Sequence, residues 1–252
     1  MKRTPLVAGN WKLNKTSAET RDLLAALLPG LAGIDGVEKL VCPPFTALSA
    51  AHDLLRGTSV ALGAQDIYWE DKGAFTGEVS GPMLREFCTH VIIGHSERRA
   101  YFNETDQTVN RKTAAALAHG LIPVVCVGET LDENEAGRAA EVVSRQVRDG
   151  LGGLKVGGAA ALVIAYEPVW AIGTGKAAQP EDATRIIRNV IRPTLAGLFG
   201  EDVAQGVRVL YGGSVNGANA ADYFGEPEVD GALVGGASLK PDDFIAITRA
   251  AA

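Results

Sequence analysis

The clearest structural signal in the chain is the hexapeptide LVIAYE at Leu162–Glu167. Five apolar or aromatic residues stand in a row before the carboxylate, so both faces of the predicted strand are apolar. Strands of this kind belong to parallel sheets that are covered on both sides. The segment therefore predicts a buried parallel strand that ends at an acidic side chain.

Seven other runs resemble this strand and recur along the whole chain: Leu6–Asn10, Lys39–Pro43, Val60–Gln65, His90–His95, Pro123–Gly128, Val207–Tyr211 and Gly231–Val234. Helical patterns separate the runs. A capping-box spacing begins at Thr16 and precedes a leucine-rich face. Later patterns cover Leu131–Leu151, Glu181–Phe199 and Asp242–Ala250, and Pro180 and Pro241 precede the last two at positions suited to a first helical turn.

About eight strand–helix units in 252 residues predict an α/β fold, a single (β/α)8 barrel of eight parallel strands ringed by helices. An open doubly wound sheet is the alternative. That fold would normally carry a GxGxxG fingerprint after its first strand, whereas residues 9–13 read GNWKL. No linker or shift in composition divides the chain, so residues 1–252 are predicted to form one domain.

Composition narrows the functional classes. The net charge is −6 and the pI is about 5.3, which is unlike a nucleic-acid-binding protein. The three cysteines form no CxxC pair or zinc cluster, and they favour a reducing compartment. The longest uncharged stretch, Thr113–Gly128, is shorter than the ~20 residues of a membrane helix. No secretory signal is visible, so we expect a cytoplasmic protein with no membrane or nucleic-acid partner.

In a barrel of this type, chemistry takes place at the carboxyl ends of the strands. The polar side chains that end or follow the apolar runs are Asn10, Lys12, Gln65, His95 and Glu167. The last two runs lead into glycine pairs, Gly212-Gly213 before Ser214 and Gly235-Gly236. These residues are the candidates for a common site.

Glu167 ends a buried strand, where a carboxylate is costly unless it has a partner or a function. A structural ion pair and a catalytic base are both open at this point. Pro168 and the apolar Val169–Ile172 begin the loop that follows, and glycines end it at Gly173 and Gly175. Exposed Trp and Ile in a loop favour a lid that covers a ligand, although permanent packing on a neighbouring helix is the alternative.

His95 and Lys12 suit an anionic substrate. Ser96 is a suitable helix cap, which places the His95 ring at a helix N-terminus, where the dipole disfavours a protonated ring. A neutral imidazole can donate a hydrogen bond to a carbonyl oxygen. Lys12 supplies a local positive charge beside Asn10, although isolated His and Lys residues are more often structural or solvated.

The two glycine pairs suit a phosphate site, because barrels of this type commonly bind phosphate in the loops after the last two strands. Glycine lets backbone N–H groups converge on phosphate oxygens. A base, a hydrogen-bond donor, an ammonium group and a phosphate cradle suit removal of a proton next to a carbonyl in a small phosphorylated substrate.

The chain resembles the triosephosphate isomerase family from end to end. The motifs that carry the resemblance are GNWK at 9–12, GAFTGE at 73–78, GHSERR at 94–99, AYEPVWAIGTG at 165–175, YGGSV at 211–215 and VGGASL at 234–239. The resemblance implies a TIM barrel and no cofactor or metal. It also implies a role in glycolysis and gluconeogenesis, with dihydroxyacetone phosphate and glyceraldehyde 3-phosphate as substrates.

The resemblance also implies residue roles. Glu167 would be the base, and His95 would polarise the carbonyl. Asn10 and Lys12 would bind substrate and stabilise negative charge, with Glu97 supporting Lys12. The phosphate would be held by the backbone at Gly173, Ser214, Gly235 and Gly236.

Members of the family are usually homodimers. The resemblance therefore implies that Thr76 reaches the partner's active site and that Gln65 lies at the interface. Two alternatives are an aldolase-like sugar-phosphate barrel and an inactive barrel that serves binding or assembly. The first would need a Schiff-base Lys within a strand or a metal cluster, and the apolar centres of the runs hold neither. The second would be expected to have lost Lys12, His95 or Glu167.

Overall fold

The computed structural model describes residues 3–172 and 178–252, and it contains a closed barrel of eight parallel strands. Each strand pairs with the next in the chain, and the eighth pairs with the first. The strands are β1 (Leu6–Asn10), β2 (Glu38–Cys42), β3 (Val60–Ala64), β4 (His90–Ile93), β5 (Ile122–Val127), β6 (Val163–Tyr166), β7 (Arg208–Tyr211) and β8 (Gly231–Val234). The predicted (β/α)8 architecture is confirmed, and the strand ends lie within two residues of the predicted ones.

Helices lie between the strands and surround the barrel. They are α1 (Ser17–Leu31), α2 (Leu48–Leu55), α3 (Gly81–Arg85), α4 (Ser96–Tyr101), α5 (Asp106–Ala118), α6 (Leu131–Glu135), α7 (Ala139–Leu151), α8 (Pro180–Ile186), α9 (Arg192–Phe199), α10 (Glu201–Gly206), α11 (Ala220–Phe224) and α12 (Pro241–Ala250). In the described residues, no helix is long and apolar enough to cross a membrane.

The two faces of each strand enter two different cores, which explains the continuous apolar runs. In β6, Val163 and Ala165 belong to a cluster inside the barrel, whereas Ile164 and Tyr166 belong to the larger cluster between strands and helices. Because side chains alternate along a strand, burial on both faces favours apolar residues at successive positions.

Two helical predictions were wrong in detail. The single helix predicted over Leu131–Leu151 is broken into α6 and α7, because Gly137 takes a left-handed backbone conformation (φ +71°) just after α6. The segment predicted as one helix from Glu181 to Phe199 has a π-helical turn at Ile187–Ile191. Pro193 follows this turn and has no N–H to donate, which favours a local change of hydrogen-bond register.

The amino end of the barrel is spanned by an ion pair. Arg208, the first residue of β7, donates to the Glu38 carboxylate at the start of β2 over 2.5 Å. These strands are not neighbours, so the pair crosses the end of the barrel opposite to the carboxyl ends of the strands. His90 starts β4 close to this pair and is buried.

Candidate active site

The side chains predicted from separate strand ends meet at one cavity. Asn10, Lys12, His95 and Glu167 all line a cavity of about 420 Å³ at the carboxyl ends of the strands. They come from β1, the connection after it, and the ends of β4 and β6. A barrel brings these positions together although 155 residues separate Lys12 from Glu167 in numbering.

Glu167 is almost completely buried, with 2% of its surface exposed. One carboxylate oxygen accepts a hydrogen bond from the Ser96 backbone N–H over 3.0 Å, and the other lies 3.2 Å from Nε2 of His95. No Lys or Arg side chain forms a salt bridge with Glu167 within the described residues. The described part of the chain therefore offers no structural ion pair with Lys or Arg to account for this buried carboxylate.

His95 has a defined tautomer. Its Nδ1 accepts a hydrogen bond from the Glu97 backbone N–H over 3.2 Å, so Nδ1 carries no proton and Nε2 is the donor. His95 is also the N-cap of α4, a role that the sequence prediction gave to Ser96. The His95 ring takes the place of the expected Ser96 hydroxyl, because Nδ1 accepts the Glu97 backbone N–H, which has no partner within the first turn of the helix. A neutral ring with Nε2–H aimed at the cavity can donate to a substrate oxygen.

Lys12 adopts an unusual backbone conformation, with φ at +52°. Its N–H donates to Oδ1 of Asn10 over 3.0 Å, and its carbonyl accepts from the Gln65 side chain over 2.9 Å. Its ammonium group lies 2.6 Å from the Glu97 carboxylate. Such backbone strain persists only where the surroundings enforce it, and it is common at functional sites. Glu97 contacts Lys12 as expected but does not line the cavity.

The predicted phosphate-binding residues that the structure describes belong to the loops after β7 and β8 and line the same cavity as the base. Ser214, Gly235 and Gly236 line the cavity, and Gly236 begins a short 3-10 turn over Gly236–Leu239. A Cβ at Gly235 would lie only 3.4 Å from Cε of Lys12. Gly173 lies outside the described residues.

The first part of the predicted lid is tied to the end of β5. The Trp170 indole N–H donates to Glu129 over 2.8 Å, and the Tyr166 hydroxyl donates to the same carboxylate over 3.2 Å. Ser214 donates to the Ala171 carbonyl over 2.7 Å. The segment thus contacts the loop after β7 directly, while the predicted glycine end at 173–175 lies outside the described residues.

Sequence reasoning missed three residues that shape the site. Glu129 directly follows the run at Pro123–Gly128, so the strand-end rule that found Glu167 also indicates it. Gly128 and Gly212 enclose Glu167. A Cβ at Gly128 would lie 1.7 Å from the Glu167 carbonyl oxygen, and a Cβ at Gly212 would lie 2.6 Å from Cγ of Glu167. In the sequence, the glycine pair at 212–213 indicates a phosphate site and gives no sign of its contact with Glu167.

Thr76 lies on the exposed connection after β3 and does not line the cavity of the single chain. Within residues 3–172 and 178–252, no cluster of three or more His, Cys, Asp or Glu side chains could hold a metal ion. The three cysteines are buried and free.

The fold and the site together define a (β/α)8-barrel enzyme of the acid–base class, with a buried carboxylate and a neutral imidazole facing one cavity. The family model described as triosephosphate isomerase matches residues 5–251. Relatives named triosephosphate isomerase include one from Moorella thermoacetica, 57% identical over 98% of both chains, and one from Symbiobacterium thermophilum, 55% identical over 99% of this chain and 98% of the relative.

A crystal structure of triosephosphate isomerase from Bartonella henselae superposes with a TM-score of 0.89 at 39% identity, covering 98% of each chain. The chain belongs to the triosephosphate isomerase family.

Proposed function

We propose that the chain interconverts dihydroxyacetone phosphate and D-glyceraldehyde 3-phosphate through an enediolate intermediate. The observation that carries this proposal is the convergence of Lys12, His95 and Glu167 on one small cavity. The relatives named triosephosphate isomerase support the same activity and do not favour the inactive-barrel alternative.

Glu167 is proposed to remove a carbon-bound proton and to return it to the neighbouring carbon. Burial in the cavity wall leaves the carboxylate with a few fixed donors in place of bulk water, and these donors hold its two oxygens in position for the proton transfer. In the described structure those donors are the Ser96 backbone N–H and Nε2–H of His95. Substrate must take over the contact with His95 for both groups to act on it.

His95 is proposed to donate its Nε2 proton in a hydrogen bond to the substrate carbonyl and to move protons between the two enediolate oxygens. The backbone N–H on Nδ1 supports the neutral tautomer. Lys12 and Asn10 are proposed to stabilise the developing negative charge, and Glu97 to hold the Lys12 ammonium. An ammonium about 4 Å from an anion is worth about 4 kcal/mol at an effective dielectric constant near 20, before desolvation.

The substrate phosphate is proposed to bind the backbone at Gly173, Ser214, Gly235 and Gly236. Three of these residues line the cavity beside Lys12, and they come from the loops after β7 and β8. Closure of the loop that begins at Pro168 would exclude water from the intermediate. The mechanism uses only groups of the protein chain, and the reaction is proposed to serve glycolysis and gluconeogenesis in the cytoplasm.

We further propose that residues 1–252 act as one catalytic domain and that two copies form a homodimer. Several large apolar side chains are exposed in the single chain: Leu13, Phe45, Phe75, Met83, Tyr101 and Phe102. Leu13 directly follows Lys12 in the chain, and exposed apolar patches are typical of protein–protein interfaces. In that dimer Thr76, beside Phe75, would reach the partner's active site near Asn10 and Lys12. Light scattering at micromolar concentration measures the mass, and a purely monomeric protein would contradict the homodimer.

A coupled steady-state assay with glyceraldehyde 3-phosphate tests the activity. Glu167→Asp keeps the carboxylate but draws it back by roughly one bond length. A misplacement near 1 Å costs about 10²-fold in turnover, so kcat should fall by that factor. An unchanged kcat in the folded variant would remove Glu167 from the mechanism, and no turnover by the wild-type protein would favour a binding or assembly function.

A further inference from the structure

Two buried tyrosines stack behind the loop that follows β7. Tyr211 is the last residue of β7, and Tyr223 lies on α11. Their ring centroids are 4.2 Å apart with an interplanar angle of 14°, and at most 2% of either residue is exposed. Burial and the stack together fix the position of both rings.

The Tyr223 hydroxyl makes a second contact that the stack alone does not require. It donates to the backbone carbonyl of Ala178 over 2.5 Å. Ala178 lies just before α8 in the β6–α8 connection and is itself buried. One side chain therefore contacts both the end of β7 and the connection that follows β6.

The loop after β7 rests directly on this pair of rings. A Cβ at Gly213 would lie 2.2 Å from the Tyr211 hydroxyl oxygen, so the Gly213 backbone lies flat against the tip of that ring. Ser214 follows and donates to the Ala171 carbonyl, which joins the loop to the β6–α8 connection a second time. A displacement of the Tyr211 ring would be transmitted to Gly213 and Ser214.

We propose that Tyr223 is a positioning residue for phosphate binding, a role that rests on the proposed function. It holds the Tyr211 ring beneath Gly213 and Ser214, and it anchors Ala178 at the end of the opposing connection. Without its hydroxyl, the two segments are no longer joined by this side chain, and the groups that face the phosphate lose their spacing. Binding of a dianion depends on that spacing because backbone N–H donors must converge within hydrogen-bond distance.

Tyr223→Phe tests this role, since it keeps the ring and removes only the hydroxyl. A net hydrogen bond is worth about 3- to 10-fold in an equilibrium constant. We expect kcat/KM for glyceraldehyde 3-phosphate to fall by about that factor, and the inhibition constant of inorganic phosphate to rise by the same factor. The kcat/KM for glyceraldehyde, which lacks the phosphate, should stay unchanged, because that substrate makes no use of the phosphate loops.

The matched control is Thr248→Val on α12, which also removes a buried hydroxyl that donates to a backbone carbonyl, here Phe244 over 2.7 Å. Its ratio of kcat/KM values for the two substrates should equal that of the wild-type protein. Tyr223→Leu removes the stack as well as the hydroxyl, and it should raise the phosphate inhibition constant further than Tyr223→Phe does.

A purely structural role of Tyr223 would lower the melting temperature and leave the substrate ratio and the phosphate constant unchanged, which would overturn the inference. An equal loss with both substrates would overturn it as well. Calorimetric titration with inorganic phosphate separates this inference from the proposed function. A wild-type protein without turnover refutes the function, whereas equal phosphate affinity of the wild type and Tyr223→Phe refutes the positioning role.

Discussion

Adding one methyl group at Gly212 should displace the proposed base. A Cβ at this position would lie 2.6 Å from Cγ of Glu167, and 3.2 Å from the Tyr166 carbonyl oxygen. Ordinary contact begins near 3.4 Å, so the Glu167 side chain must move by about 0.8 Å. The Tyr166 carbonyl belongs to β6 and cannot yield as easily, which directs the displacement onto the carboxylate.

A shift of that size weakens the alignment of the carboxylate with the substrate carbon. Because a misplacement near 1 Å can cost about 10²-fold, kcat of Gly212→Ala should fall by about that factor, or about 2.7 kcal/mol of activation free energy. The KM should change less, since the proposed phosphate contacts lie on other residues. A steady-state assay with glyceraldehyde 3-phosphate at 25 °C measures both constants.

Gly197→Ala is the matched control, because a Cβ there meets no atom within 4 Å. Gly197 lies in α9, where alanine favours the helix, so the control should keep its kcat and gain slightly in stability. Circular dichroism establishes that both variants are folded. A folded Gly212→Ala protein with wild-type kcat would refute the claim that close packing of Gly212 against Glu167 positions the carboxylate for catalysis.

Two further predictions concern Lys12 and the amino end of the barrel. Lys12→Ala should raise KM and lower kcat, with kcat/KM reduced at least about 10²-fold; wild-type kinetics would contradict an anion site. Burial, with a smaller effect of the Arg208 charge, lowers the pKa of His90 to about 4. Below about pH 6.5, His90 therefore binds a proton more readily in the unfolded chain than in the folded protein. The free energy of unfolding should therefore decline by about 3 kcal/mol as pH falls from about 6.5 to about 4. In chemical denaturation, the free energy of unfolding of His90→Gln should fall by about 3 kcal/mol less than that of the wild-type protein between about pH 6.5 and about pH 4. The same pH profile in both proteins would exclude His90 as the cause.

The barrel could be predicted because its signal is repeated and local. Most strands are apolar on both faces, and the same pattern occurs about eight times, so an error of one or two residues at a strand end does not change the topology. The break between α6 and α7 also has a local signal in Gly137. Pro193 is likewise a local signal that the helix is disturbed, but it does not show that the disturbance takes the form of a π-helical turn.

Part of the candidate site could be predicted from the rule that polar residues at the carboxyl ends of barrel strands share one site. That rule finds Glu167 and His95, and applied once more it finds Glu129. It cannot show that the His95 ring caps α4. The cap and the tautomer both depend on the bond from the Glu97 backbone N–H to Nδ1, which only the folded geometry reveals. Nor can it find the bond between Tyr223 and Ala178, because neither position follows from the local pattern of its own segment.

The ion pair between Glu38 and Arg208 lies at the opposite end of the strands from Glu167. Strands of four to six residues at about 3.3 Å per residue separate the two ends by roughly 13–20 Å. Opposite charges in contact largely cancel at such a distance, so the pair contributes almost no electric field at the proposed base. Glu38 and Arg208 can therefore be replaced together by a neutral pair with little effect on the electrostatic environment in which the proton moves.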